Sequence, residues 1–121
     1  ALSSAASDVY KRQPDIYALA EQCDDEVIVA LTTLDGVGVW TAEMLMLFSM
    51  RRMNILSYGD FGIRKGICRL YGLEQIDKKQ FACLKERYTP YASVASLYLW
   101  EIASAKNFPE LKEKTAEQSS L

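Results

Sequence analysis

Apolar positions along the chain recur at three-to-four-residue spacing, not in alternation, and this periodicity predicts an all-helical protein. Pro14 stands where a first helical residue would, ahead of Ile16, Leu19 and Ala20 on one stripe. Asp24 and Asp25 put negative charge at the start of a second helix carrying Val27, Ile28, Leu31 and Leu34. This segment ends in Leu34-Asp35-Gly36-Val37-Gly38. From Val39 to Met50 nearly every residue is apolar, which predicts a third helix buried on most sides and closed by Arg51 and Arg52. Residues 54–59 read as a loop, and Asp60 is placed to cap a helix with Phe61, Ile63, Ile67 and Leu70, stopped by Gly72. Asp77 to Gln80 is a capping-box variant opening a helix with Phe81, Leu84 and Tyr88, and a last helix runs from Pro90 to about Lys106. The first thirteen residues have no apolar stripe and read as a non-native or disordered segment, and residues 107–121 read as a polar, disordered tail. One helical domain is expected over residues 14–106.

Composition narrows the chemistry. The 121 residues include no histidine, which removes the usual Ser/His/Asp and Cys/His mechanisms and leaves acid-base work to carboxylates. The three cysteines, Cys23, Cys68 and Cys83, are far apart and in no CxxC arrangement, so zinc, an iron-sulfur cluster and a disulfide framework are not expected. No apolar run reaches the roughly 18 residues of a membrane span, and no signal-peptide pattern opens the chain. The expected protein is soluble and intracellular. A net charge of −2 argues against binding nucleic acid by a carpet of lysines, but not against binding through backbone amides. Gly36 and Gly38 supply that alternative: they bracket one apolar residue, permit positive φ, and expose the first amides of the next helix as an anion site.

The string Leu34-Asp35-Gly36-Val37-Gly38-Val39-Trp40-Thr41-Ala42-Glu43 resembles the helix-hairpin-helix motif of the DNA glycosylase superfamily named for its hairpin, Gly/Pro-rich loop and aspartate. Residues 57–66, Ser57-Tyr58-Gly59-Asp60-Phe61-Gly62-Ile63-Arg64-Lys65-Gly66, are similar to the family's loop-and-aspartate segment. Residues 90–100 look like the closing helix of the 3-methyladenine DNA glycosylase II branch. The resemblance implies an all-helical bundle containing a helix-hairpin-helix motif and truncated on its amino-terminal side. It also implies a monofunctional enzyme that hydrolyses the N-glycosidic bond of alkylated purines, 3-methyladenine and 7-methylguanine, in base excision repair.

On this resemblance Asp60 is the catalytic carboxylate, stabilising the oxocarbenium-like transition state, and its other reading is a helix cap; both can hold at once. Trp40 stands where bifunctional members carry a Schiff-base lysine. With Met44, Tyr58, Phe61 and Trp100 it is expected to wall the base pocket, where an indole attracts a cationic flipped base. Gly36, Val37, Gly38 and Thr41 are expected to grip a phosphate, and Arg64 and Lys65 to contact flanking phosphates. The carbonyls of Thr32, Leu34 and Val37 are expected to hold a structural Na+ or K+. No other cofactor is expected. The expected partner is double-stranded DNA containing alkylated bases, bound by a monomer that uses neither a membrane nor a small-molecule cofactor. The location would be cytoplasm or nucleoid in a bacterium and the nucleus in a eukaryote. Asp35 stands where the family's hairpin has proline, and Ala92 where the closing helix often has arginine. The alternative is a helix-hairpin-helix module that binds DNA without catalysis, inactive through truncation.

Overall fold

A computed structural model describes residues 16–109, and the first-segment and polar-tail readings fall almost entirely outside them. Every regular element among the described residues is a helix: α1 Ile16–Leu19, α2 Asp24–Thr32, α3 Val39–Phe48, α4 Phe61–Tyr71, α5 Lys78–Tyr88 and α6 Ala92–Ser104. They fall into two compact units that divide after Arg52.

In the first unit α2 and α3 pack together, with Val27, Leu31, Ala42, Met46 and Leu47 buried. The amino end of α2 carries the predicted acidic turn, and Cys23 and Glu26 close it as a reciprocal capping box. Two expectations need correction. Helix α3 is not buried on most sides: Val39, Trp40, Leu45 and Phe48 are exposed, because one face alone supplies its buried residues. Arg52 serves the end of α3 through its backbone N–H, which donates to the Met46 carbonyl at 2.8 Å, rather than through its side-chain charge. Its guanidinium donates instead to the carbonyls of Leu19 at 2.8 Å and Gln22 at 2.7 Å, and pairs with Asp24 at 3.3 Å, tying the end of α1 to the start of α2.

The second unit is built on α4 crossing α6. A Cβ on Gly66 would meet the backbone of Leu99, so the absence of a side chain there lets the two helices approach backbone to backbone. The facing side of α6 is correspondingly small, presenting Ala92, Ser93, Ser96, Leu99 and Ala103. Leu56, Ile63, Ile67, Ile76, Phe81, Ala92 and Leu99 form the core. Gly72 ends α4 in the left-handed conformation, as expected of a C-terminal glycine, and Asp77 with Gln80 makes the predicted capping box of α5. Arg69 donates to the carbonyls of Ile102 and Ala103, satisfying groups at the end of α6.

At the end of α5, burial and a hydrogen bond shared with the Tyr71 hydroxyl push Tyr88 well above the ordinary tyrosine range. A raised folded-state value means that this contribution is fully present below about pH 10 and is lost as pH rises above it. Tyr88→Phe should therefore flatten the fall of melting temperature between pH 9 and 11. An unchanged slope would show that the pair does not titrate as placed.

Candidate active site

The approach to Asp60 is strapped down before α4 begins. Residues 53–59 form no regular element, yet Ile55, Leu56 and Ser57 are buried. Two serines on α6 hold them. Ser93 accepts from the Ile55 N–H at 2.9 Å and donates its own N–H to the Met53 carbonyl at 2.9 Å. The Ser96 hydroxyl donates to the Ile55 carbonyl at 2.7 Å. A loop that is otherwise irregular thus reaches Asp60 on a fixed path.

Asp60 is 8% exposed and caps α4, its Oδ1 accepting the Ile63 N–H at 2.9 Å. The same oxygen accepts the indole N–H of Trp100 at 2.8 Å. Room for this contact comes from Gly62. A Cβ there would stand 2.7 Å from Trp100 Cδ1, 3.1 Å from Nε1 and 3.2 Å from the Asp60 oxygen. The carboxylate is therefore oriented by a backbone amide on one side and an indole on the other, with a glycine keeping the gap open. The structure joins Asp60 to one of the two expected tryptophans, by hydrogen bonding as well as proximity. Trp40 lies in the first unit, half-exposed near the start of α3.

A second grouping surrounds a cavity of about 450 Å3 on another face of α4, walled by Tyr58, Phe61, Arg64, Lys65, Cys68 and Glu74 among others. It gathers two of the residues expected to face the base and both expected to face phosphate. Neither Asp60 nor Trp100 lines it. The Arg64 guanidinium lies over the Tyr58 ring, 5.3 Å from its centroid, and the ring meets Phe81 edge-on. Burial pushes the Cys68 thiol up, opposed by the charge of Arg64. Phe61, expected on the apolar stripe of α4, is instead 72% exposed, since it faces away from the α6 contact.

In the first unit one of the two hairpin glycines, Gly36, takes the positive φ expected there, and Gly38 does not. Gly36 has φ +80°, and Val37 N–H closes the turn on the Leu34 carbonyl at 3.2 Å. Gly38 begins α3 in extended geometry and, as a glycine, supplies no side-chain cap. A Cβ on either glycine would meet nothing within 4 Å, and this surface is open to close backbone approach. Met44 and Thr41 on α3 are partly buried. Among the carbonyls expected to hold a cation, that of Leu34 already accepts one hydrogen bond and keeps a second lone pair.

Sequence reading did not identify Ser93, Ser96, Gly62 or Gly66 as parts of this arrangement. The signal available was two small residues four apart on α4 opposite a small-residue face on α6. Arg52 and Arg69 are committed to carbonyl groups, at the end of α1 and the end of α6.

Two helices joined by a glycine hairpin, followed by a helix-capping aspartate, define an all-helical protein of the helix-hairpin-helix class. No protein-family model matches the chain. It is 33% identical over 86 residues to DNA-3-methyladenine glycosylase 1 of Schizosaccharomyces pombe, a match covering 70% of this chain and 38% of that protein. Among solved structures, the DNA-3-methyladenine glycosidase of Bacillus halodurans superposes with a TM-score of 0.71 at 38% identity, covering 82% of this chain and 46% of that one. A Schizosaccharomyces pombe 3-methyladenine DNA glycosylase in complex with abasic DNA gives 0.70 at 28% identity, covering 84% and 50%. The chain belongs to the DNA glycosylase family. It spans less than half the length of the curated relatives it matches.

Proposed function

We propose that the chain carries the carboxylate and the DNA-gripping hairpin of a monofunctional DNA glycosylase that removes alkylated purines. The observation that carries this reading is Asp60, held by two donors on one oxygen at the start of α4, in a chain related to 3-methyladenine glycosylases. An alkylated purine is already cationic, so the C1′–N bond breaks with its electron pair leaving on a neutral base. Asp60 offsets the positive charge that develops on the sugar. Water adds to C1′, its proton passing to the carboxylate or to solvent, and an abasic site remains. No lysine stands at Trp40, so no Schiff base forms and the strand is not cut.

In this reading Trp100 borders the flipped base beside Asp60, and in the first unit the amides after Gly36, Val37 and Gly38, with Thr41, hold a phosphate. Arg64 and Lys65 add positive charge on α4. Carbonyls of Thr32, Leu34 and Val37 are the ligand type that a monovalent cation takes, and such an ion would brace the hairpin. No helix among the described residues is long and apolar enough to cross a membrane. The partner is duplex DNA, which places the protein wherever the genome is.

The test is release of free 3-methyladenine from methylated duplex by the chain and by a form extended upstream to its relatives' length. Release by either supports the enzyme. The competing reading, a module that binds DNA without catalysis, is favoured by the near-complete burial of Asp60 as a helix cap. Binding by both forms with release by neither would establish that module.

The Trp100 contact has its own expected outcome. Removing a hydrogen bond to a charged group costs about tenfold or more. Trp100→Phe and Gly62→Ala should each lower kcat by about that factor and leave KM near its original value. A rise in KM with constant kcat would mean that Trp100 acts on substrate binding alone and not through the carboxylate.

A further inference from the structure

The cavity on α4 combines three features that a merely structural hollow does not need. Arg64 lines it, and its Nε is buried without a hydrogen-bond partner. Leaving a buried charged donor unmade is costly, and the fork of a guanidinium matches phosphate or carboxylate oxygens. The guanidinium carbon lies 5.3 Å from the Tyr58 ring centroid, a cation–π contact that restricts the side chain before any ligand binds. Lys65 lines the same space and the Lys78 ammonium lies 5.9 Å from the Tyr58 centroid, giving three cations against the carboxylate of Glu74.

Size and wall character narrow the ligand. About 450 Å3 lies within the range of small-organic-ligand pockets and exceeds what a bare ion fills. At the rim Phe61 is 72% exposed, an aromatic face of the kind on which a base or sugar packs. The geometry points to a nucleotide-phosphate site in this cavity, with the phosphate on Arg64 and Lys65 and the nucleoside against Phe61. This site is separate from the groups that hold Asp60; it rests on the glycosylase reading, which expects base and phosphate contacts from Phe61, Arg64 and Lys65, and a binding measurement tests it apart from base release. Its occupant is either a free mononucleotide or one nucleotide of a strand, the phosphate chemistry being shared.

The experiment follows the Arg64 Nε–H resonance of the isotopically labelled chain by NMR. Ligands are inorganic phosphate, deoxyadenosine 5′-monophosphate, deoxyadenosine and a short single strand of DNA. Phosphate should shift the resonance saturably, and the monophosphate should do so at about a tenth of the concentration through its added aromatic contact. Arg64→Gln should weaken monophosphate binding about tenfold or more. Glu74→Gln should tighten it about two- to fivefold by removing a like charge. If Arg64→Gln fails to fold, Lys65→Gln, at an exposed position, serves for the same loss. A response to the single strand but not to the mononucleotide assigns the site to strand phosphates and upholds it. Deoxyadenosine binding as tightly as its monophosphate would overturn the proposal, as would no response to any phosphate or full binding by the variants.

Discussion

Asp60→Asn is expected to lower base release from methylated duplex by about 10²-fold or more while leaving the melting temperature within a few degrees. Asparagine is as good a helix cap as aspartate, and its single amide oxygen is the atom that must receive both the Ile63 N–H and the Trp100 N–H. Those two donors fix which way the amide turns, because the reverse orientation sets its NH2 against both of them. The substitution therefore keeps the shape, the cap and the indole contact, and removes the negative charge alone. If that charge balances the developing sugar cation, the rate falls with little change in fold. Base release measured alongside thermal unfolding separates the outcomes. Retained release would show that Asp60 is only a cap, whereas a collapse in melting temperature would show that the variant tests folding. The comparison is to be made in whichever form, the chain or its upstream extension, releases base.

Legibility from sequence followed the range of the interaction. The Asp60 cap, the Gly72 stop and the Asp77/Gln80 box were all readable, since each is decided within three or four residues. The hairpin was readable because Gly36 needs a positive φ that few other residues accept. By contrast, the Trp100 contact with Asp60 spans forty positions, and nothing in local spacing says that an indole on the last helix turns its N–H toward the first residue before α4. The roles of Arg52 and Arg69 are hidden for the same reason. Carbonyls 33 residues away claim both, and a guanidinium serves a distant helix end as readily as a phosphate. Burial of α3 was overread because an apolar helix predicts that a cover exists, not that this chain supplies it.

The most destabilising single methyl group should be the one added at position 66. In an exposed helix Gly→Ala gains about 1 kcal/mol, so Gly66→Ala has a head start to overcome. Against that, the new Cβ would stand 2.8 Å from the Leu99 carbonyl carbon and 3.0 Å from its Cα. These are backbone atoms in the middle of α6 and cannot rotate away as a side-chain end can, so relief requires the two helices to separate. Overpacking typically costs about 1–3 kcal/mol, and separation also loosens Ile63, Ile67 and Leu99 at the core. A net loss of up to about 2 kcal/mol, read as a fall of up to roughly 10 °C in melting temperature, is expected. Gly36→Ala supplies the control. Its Cβ meets nothing, and only the φ of +80° is strained, so its cost should stay near 1 kcal/mol. Equal melting temperatures for the parent and Gly66→Ala would mean that α4 and α6 do not cross as closely as described. The same crossing sets Trp100 against Asp60 through Gly62, one turn earlier on α4, so loss of the close approach at Gly66 should weaken the indole's hold on the carboxylate. Gly66→Ala should then lose base release at temperatures where it is still folded, linking the packing of two small residues to the direction of one oxygen.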